Sequence, residues 1–422
     1  MKRRHFVLGG LAAAAAGAAW LRPGDKGAPH PPYFARLNAE LKAHGPMRPA
    51  LIIDLDRLDH NIDRVMASIG KQPGRHYRIV EKSLPAAGLL DYVSRRSGSH
   101  RFMSFHQPFL NHDARRWPDA DLLLGKPLPV DSAALFYREL QGPFDPAQQL
   151  QWLIDTSDRL RQYLALAEAQ DLRLRLNIEI DVGLHRGGIS RDEDLIAILD
   201  LIAAHPRHLS FAGFMGYEPH IVAVPGLLGS RDELFAKAMT RYQHFVDLLR
   251  ARQPDWWQPS LTLNTGGSPT YQLHENESLC NELAVGTGLL KPSHYDIDTL
   301  ADHQPAVFIA TPVLKSEGPV TIPGLDKHSR LLSWWDVNQR ETYFVYGGYW
   351  KADLESPPGL QFNALYGRSA NQEIVNASSA VALRVDDLIF LRPHITESVL
   401  LQFGDLITVR DGRIQDFWPV YT

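Results

Sequence analysis

The sequence is poor in whatever would cross-link it, carry it onto a nucleic acid or hold it in a membrane. One of its 422 residues, Cys280, is cysteine, so no intramolecular disulfide is available and stability must come from buried apolar mass. No nucleophile motif surrounds Cys280, which makes it a buried apolar filler rather than a catalytic thiol. Neither charge dominates. The 44 Lys and Arg residues stand against 48 Asp and Glu, interspersed along the chain, for a net charge of -4. That balance offers no basic stripe for phosphate backbones and no polybasic membrane patch, so nucleic acid is excluded as a partner. No segment approaches the roughly twenty apolar residues of a bilayer span, so no stable membrane span is expected. No G-x-G-x-x-G follows the first strand-like run, which removes the dinucleotide-binding signature.

What is present is enough apolar residue, 44 % of the chain, to fill two cores, and 422 residues exceed what one core usually serves. Residues 1–20 place Lys2, Arg3 and Arg4 before a short Ala-rich apolar stretch, the pattern of an export signal. The pair Arg3-Arg4 followed by His5-Phe6-Val7-Leu8-Gly9 resembles the twin-arginine signal, so a periplasmic protein exported already folded is expected. Residues 21–46 read as a Pro- and Gly-rich linker, then a helix in which Phe34, Leu37 and Leu41 recur at helical spacing before Gly45-Pro46 stops the pattern.

Short apolar runs then alternate with helix-period segments. The runs are Tyr77–Val80, Arg101–Ser104, Asp121–Leu124, Gln151–Ile154, Arg175–Ile180, Leu209–Met215, Ser260–Leu263 and Glu282–Val285. Eight such units predict a (β/α)8 TIM barrel over residues 47–298, with the run 50–54 open to either domain. From residue 299 to 422 the helices give way to strand-like runs at Ala306–Ala310, Thr342–Tyr346, Val381–Leu391, Asp405–Arg410 and Arg413–Pro419. A C-terminal, mainly β domain follows, and Asp411-Gly412 marks a hairpin within it.

Two places carry chemistry. The first of these runs leads into Glu81-Lys82-Ser83, and a barrel keeps its reactive groups at the C-terminal ends of strands. A lysine partly desolvated there would free its amine to form an imine with a carbonyl. After the seventh run comes Asn264-Thr265-Gly266-Gly267-Ser268-Pro269-Thr270, where glycines let amides approach an anion and barrels commonly hold phosphate. Each place taken alone also reads as an ordinary surface lysine or turn. Together they suit a phosphorylated aldehyde held by both ends, and pyridoxal phosphate has both groups.

Several motifs stand in one order: Pro49-Ala50-Leu51-Ile52-Ile53-Asp54-Leu55-Asp56, the Lys82 strand, Ile178-Glu179-Ile180-Asp181-Val182-Gly183-Leu184-His185-Arg186-Gly187-Gly188, Gly213-Phe214-Met215-Gly216-Tyr217-Glu218-Pro219-His220 and the Gly266-Gly267 loop. From about residue 47 onward the chain resembles the D-threonine aldolase and D-serine dehydratase-like family, fold-type III pyridoxal-phosphate enzymes of the alanine racemase type. The resemblance implies that Lys82 forms the Schiff base and that Arg186 approaches the cofactor's phenolic oxygen. Tyr217 and His220 then line the pocket, while Thr265, Gly266, Gly267 and Ser268 form the phosphate loop. A homodimer is expected by the same analogy.

One departure bears on the reaction. Members with lyase activity show Pro-x-His-x-Cys or Pro-x-His-x-Asp, the alternate residues binding a divalent metal. Here Arg392-Pro393-His394 is followed by Ile395 and then Thr396 where the second ligand belongs, and a neutral hydroxyl is a poor ligand. In a strand, Glu397 would face the other way. The metal is therefore open, with His394 a possible ligand or a metal-free base toward a β-hydroxyl. A lyase on small D- or β-hydroxy amino acids is the leading expectation. A racemase, which needs two bases, and a non-catalytic binder of the cofactor or of amino acids stand beside it.

Overall fold

A computed structural model describes residues 22–321, 324 and 333–421, apart from the side chain at position 228. The export-signal segment 1–20 lies outside the described residues. Among those residues, no helix is long and apolar enough to cross a membrane.

The chain divides into two compact units. The first takes the described residues up to Asp54 together with Val307–His394 and Phe403–Phe417; the second takes Leu55–Ala306, Ile395–Gln402 and the C-terminal segment from Trp418. Strand β1 (Ala50–Asp54) belongs to the first unit, where it pairs antiparallel with β10 (Val307–Glu317) and parallel with β16 (Asp405–Arg410). All five of its residues are buried, as a central strand requires. The helix Pro32–His44 begins with a proline in its first turn and sends Phe34, Leu37 and Leu41 inward. They join Ile52, Phe308, Phe390 and Val409 in one core, with Phe34 edge-on to Phe308 at 5.2 Å.

The sheet of this unit also holds β11 (Glu341–Tyr346), β12 (Ala352–Ser356), β13 (Gln361–Phe362), β14 (Gln372–Ala377), β15 (Leu388–Pro393) and β17 (Arg413–Pro419). The expected run Val381–Leu391 is strand only from Leu388 onward. Ala382 and Asp386 adopt positive φ, 56° and 71°, and that turns the chain instead of extending it.

In the second unit, strands β2 (His76–Val80), β3 (Arg101–Ser104), β4 (Asp121–Leu124), β5 (Leu150–Ile154), β6 (Leu174–Glu179), β7 (Leu209–Met215), β8 (Thr262–Thr265) and β9 (Glu282–Val285) close into a parallel barrel. The predicted (β/α)8 TIM barrel and mainly β domain are both found. In the middle of β2, Arg78 is fully buried, with Nε 2.5 Å from Glu282 Oε1 and Nη2 2.6 Å from Asp121 Oδ1. Both carboxylates come from other strands, so the ion pairs tie β2 to β4 and β9 inside the barrel. Four residues on, past the strand's C-terminal end, stands Lys82.

Candidate active site

Strand β2 runs straight into a single 3-10 turn, Glu81–Ser83. Glu81 faces inward and is fully buried, accepting from Ser104 Oγ at 2.6 Å, while Lys82 turns to a cavity of about 720 Å³. That volume suits a cofactor or drug-sized ligand. The desolvated setting expected of Lys82 is not found: its side chain is 47 % exposed, with Nζ 3.8 Å from Glu397 Oε1 and 5.0 Å from the centre of the Phe105 ring.

Glu397 is the residue that sequence reasoning missed. The alternation expected of a strand does not apply, because β15 ends at Pro393 and the chain turns. The Glu397 carboxylate lines the cavity and accepts from Ser83 Oγ at 3.0 Å and Thr287 Oγ1 at 3.1 Å. Thr396, at the position of the expected second metal ligand, is fully buried with Oγ1 3.4 Å from Glu397 Oε2.

The loop after β8 contributes Gly266, Gly267 and Ser268 to the cavity wall. Gly266 has φ of 76°, and a Cβ on Gly267 would stand 2.6 Å from Tyr217 Cε2, so the loop is built for glycine at both places. Ser268 Oγ accepts from the Gly288 N–H at 2.8 Å, which leaves the hydroxyl proton available to a ligand. Thr265 has a different role. Its Oγ1 donates to Glu218 Oε2 at 2.8 Å, behind the cavity wall, and the Gly266 N–H points to the same oxygen at 3.3 Å.

Glu218 is fully buried and organises this loop. Thr270 Oγ1 donates to its Oε1 at 2.7 Å, and His274 Nε2 lies 3.2 Å from the same oxygen. Burial works against a charged Glu218, but the bonds from His274, Thr270 and Thr265 outweigh it and hold the carboxyl below its ordinary value. Burial likewise works against protonated His274; the bonds and charges of Glu218 and Glu277 outweigh it, and the imidazole is raised. An ion pair thus sits under the glycines. The motif around Gly216 contained the glutamate, but its partners lie 47 to 56 residues further along the chain.

Arg186 lines the same cavity, its guanidinium 5.0 Å from the centre of the Tyr217 ring. Asp181 is engaged elsewhere. It accepts from the His185 and Gly183 N–H groups, with His185 Nδ1 2.6 Å from Oδ2 and Arg241 Nη2 at 3.7 Å. Glu179 lines the cavity too, its carboxyl raised by burial against the opposing pull of Arg186. Tyr217 is a wall residue whose hydroxyl burial raises well above the usual range. His220 is not among the lining residues; its Nε2 packs under Gly183, and burial lowers its pKa. His394 is not among them either, and its Nε2 lies 3.1 Å from Asp353 Oδ1. Among the described residues no group of three or more His, Cys, Asp or Glu is arranged to hold a metal ion.

The sequence profile of the family described as alanine racemase, N-terminal domain, matches residues 53–293. The chain belongs to that family. A relative outside the barrel's own length is the 3-hydroxy-D-aspartate aldolase of Paracoccus denitrificans (strain Pd 1222), 24 % identical over 390 residues that cover 88 % of this chain and 91 % of the relative. Among solved structures, the D-threonine aldolase from Filomicrobium marinum matches with a TM-score of 0.67 at 17 % identity, over 88 % of this chain and 94 % of that one. The alanine racemase from Bacillus anthracis matches with a TM-score of 0.66 at 12 % identity, over 88 % and 97 %. A D-threonine aldolase structure and an alanine racemase structure therefore share this fold.

Proposed function

We propose that the protein is a pyridoxal-phosphate-dependent lyase acting on D-configured or β-hydroxy amino acids. The observation that carries this reading is the meeting, in one cavity, of the Lys82 amine with the Gly266-Gly267-Ser268 loop and Arg186. The likeness to a 3-hydroxy-D-aspartate aldolase along most of both chains supports the lyase reading over racemisation.

The residues present fit the cofactor. A loop that no Cβ could enter at Gly267 and a serine with a free proton suit a phosphate group. Lys82 would hold the aldehyde carbon, Ser268 and Gly267 the phosphate, and Arg186 the phenolic oxygen. Bound there, the cofactor supplies a conjugated ring that stabilises negative charge at Cα. Lys82, once displaced by the substrate amine, moves a proton at Cα. Tyr217, its hydroxyl protonated at neutral pH, serves as wall and support for Arg186 rather than as a base.

Periplasmic location through the Arg3-Arg4 signal and a homodimeric assembly complete the proposal; fractionation and light scattering test them. For the chemistry, purified protein loaded with pyridoxal phosphate should show the absorbance of the lysine-bound cofactor, and Lys82→Ala should abolish it. Screening against D-threonine, D-serine and 3-hydroxyaspartate should release aldehyde or ammonia. A Lys82→Ala protein that keeps the band refutes the assignment, and interconversion of enantiomers without cleavage makes the protein a racemase.

A further inference from the structure

We infer that Glu397 is a catalytic base: it takes the proton of the substrate's β-hydroxyl and so directs the enzyme to cleave the Cα–Cβ bond. The inference rests on the lyase reading above and goes beyond it by choosing between its two reactions.

Three observations place the carboxylate. It lines the same cavity as Lys82, Arg186 and the glycine loop. Its Oε1 is 3.8 Å from Lys82 Nζ, beside the atom that would hold the cofactor's reactive carbon. Its partners also leave it short of protons. Ser83 Oγ is 3.0 Å and Thr287 Oγ1 3.1 Å from Oε1, and the two hydroxyls are 2.7 Å from each other. Thr396 Oγ1 stands 3.4 Å from Oε2; the four oxygen-to-oxygen contacts share three hydroxyl protons, so the cluster can accept one more. The side chain is 27 % exposed, which allows an accepted proton to pass on to solvent.

Other groups in the cavity suit the task less well. Burial raises the Tyr217 and Tyr295 hydroxyls, so both stay protonated and cannot act as bases at neutral pH. Glu179 faces Arg186. Lys82 is occupied with Cα. His106 lines the cavity as an exposed residue whose ring packs against Phe109 at 5.0 Å.

The step balances without a further reactant. The β-hydroxyl proton passes to the Glu397 carboxylate, and the O–H bonding pair becomes the second C–O bond of the departing aldehyde. The Cα–Cβ pair stays at Cα, where a proton delivered by Lys82 replaces it, and glycine leaves. Loss of the β-hydroxyl as water would instead need an acid at that oxygen, and an acceptor in this position opposes it.

The test uses full-length protein loaded with pyridoxal phosphate, wild type beside Glu397→Gln, Glu397→Asp and Lys82→Ala. Four properties are read: affinity and absorbance of the cofactor, thermal midpoint, solvent exchange at Cα of glycine, and aldehyde release from D-threonine and 3-hydroxy-D-aspartate. Glycine has no β-hydroxyl and reports Lys82 alone. Glu397→Gln should keep cofactor binding, midpoint and glycine exchange, and lose aldehyde release by about 10²- to 10⁴-fold, the usual worth of a general base. Glu397→Asp should recover part of that loss. The inference is overturned if Glu397→Gln releases aldehyde within about threefold of wild type, since a base is worth far more, if it loses glycine exchange or cofactor binding in parallel, or if wild type yields ammonia in place of aldehyde. The lyase reading itself fails, and visibly for a different reason, if Lys82→Ala retains the lysine-bound absorbance.

Discussion

Replacing Glu218 by Gln preserves the shape of the side chain and removes a charge from a fully buried site. The carboxylate takes donors at 2.8 Å from Thr265, 2.7 Å from Thr270, 3.3 Å from the Gly266 N–H and 3.2 Å from His274. An amide has one acceptor oxygen, so its N–H₂ end must face donors, and protonated His274 is left with Glu277 alone at 3.5 Å. Breaking a buried pair from one side costs about 3–5 kcal/mol. At roughly 2–4 °C per kcal/mol for a unit of this size, the barrel should melt about 6–20 °C lower.

The sign of the pH dependence follows from the two shifts. His274 is raised above 6.5, so its stabilisation is complete below that value and is lost as pH rises through the folded value. Glu218 is lowered below 4.5, so its contribution is complete above that value and is lost as pH falls through the folded one. The pair is worth most between 4.5 and 6.5. Circular dichroism melts at about pH 5.5 and about pH 8.5 check this: the gap between wild type and Glu218→Gln should be wider at the lower pH. A gap under about 2 °C at both, less than 1 kcal/mol, would refute the reasoning. The same variant should bind pyridoxal phosphate more weakly, because the loop it anchors carries Gly266 and Ser268.

Gly267→Ala puts a methyl group 2.6 Å from the Tyr217 ring; overpacking of about 1–3 kcal/mol should weaken cofactor binding about tenfold to a hundredfold in an absorbance titration, and unchanged affinity would remove the loop from the phosphate site. Asp113, pushed up to about 7 by burial, faces fully buried Glu81, whose carboxyl is raised by burial and by the Asp113 charge. Raised acids stabilise most below the unfolded value and lose that stability as pH rises from it to the folded value, so Asp113→Asn, which supplies an N–H donor, should raise stability by about 1–2 kcal/mol in denaturant titrations above pH 7 and by less at pH 5. With Glu397 as the base, dialysis against a chelator should leave aldehyde release within about twofold, well short of the loss a missing base would cause. A loss restored by Mn²⁺ would speak against it.

Much of the fold was legible because parallel barrel strands, buried on both faces, read as short continuous apolar runs. All eight expected runs overlap the observed strands β2 to β9. Strands β12 and β14 were not legible. Ala352–Ser356 and Gln372–Ala377 carry polar residues in no clean alternation, and their pairing partners decide their conformation. The turn at Asp386 escaped notice although Asp386-Asp387 interrupts the apolar run there, and aspartate tolerates positive φ.

The site divides in the same way. Composition and order along the chain were enough to determine a two-part enzyme, a lysine at the end of the first barrel strand and a glycine loop at the end of the seventh, since these depend on residue type and local spacing. Which groups stand against that lysine was decided by the tertiary structure alone, which brings residues 395–402 back into the barrel's unit. Glu397 follows Ser83 by 314 residues, yet the two share a hydrogen bond. Thr265 was legible as a loop hydroxyl, but only the fold shows it turned toward Glu218 and away from the cavity. Hydrogen bonds and ion pairs act over a few ångströms in space, and separation along a chain of this length carries almost no information about them.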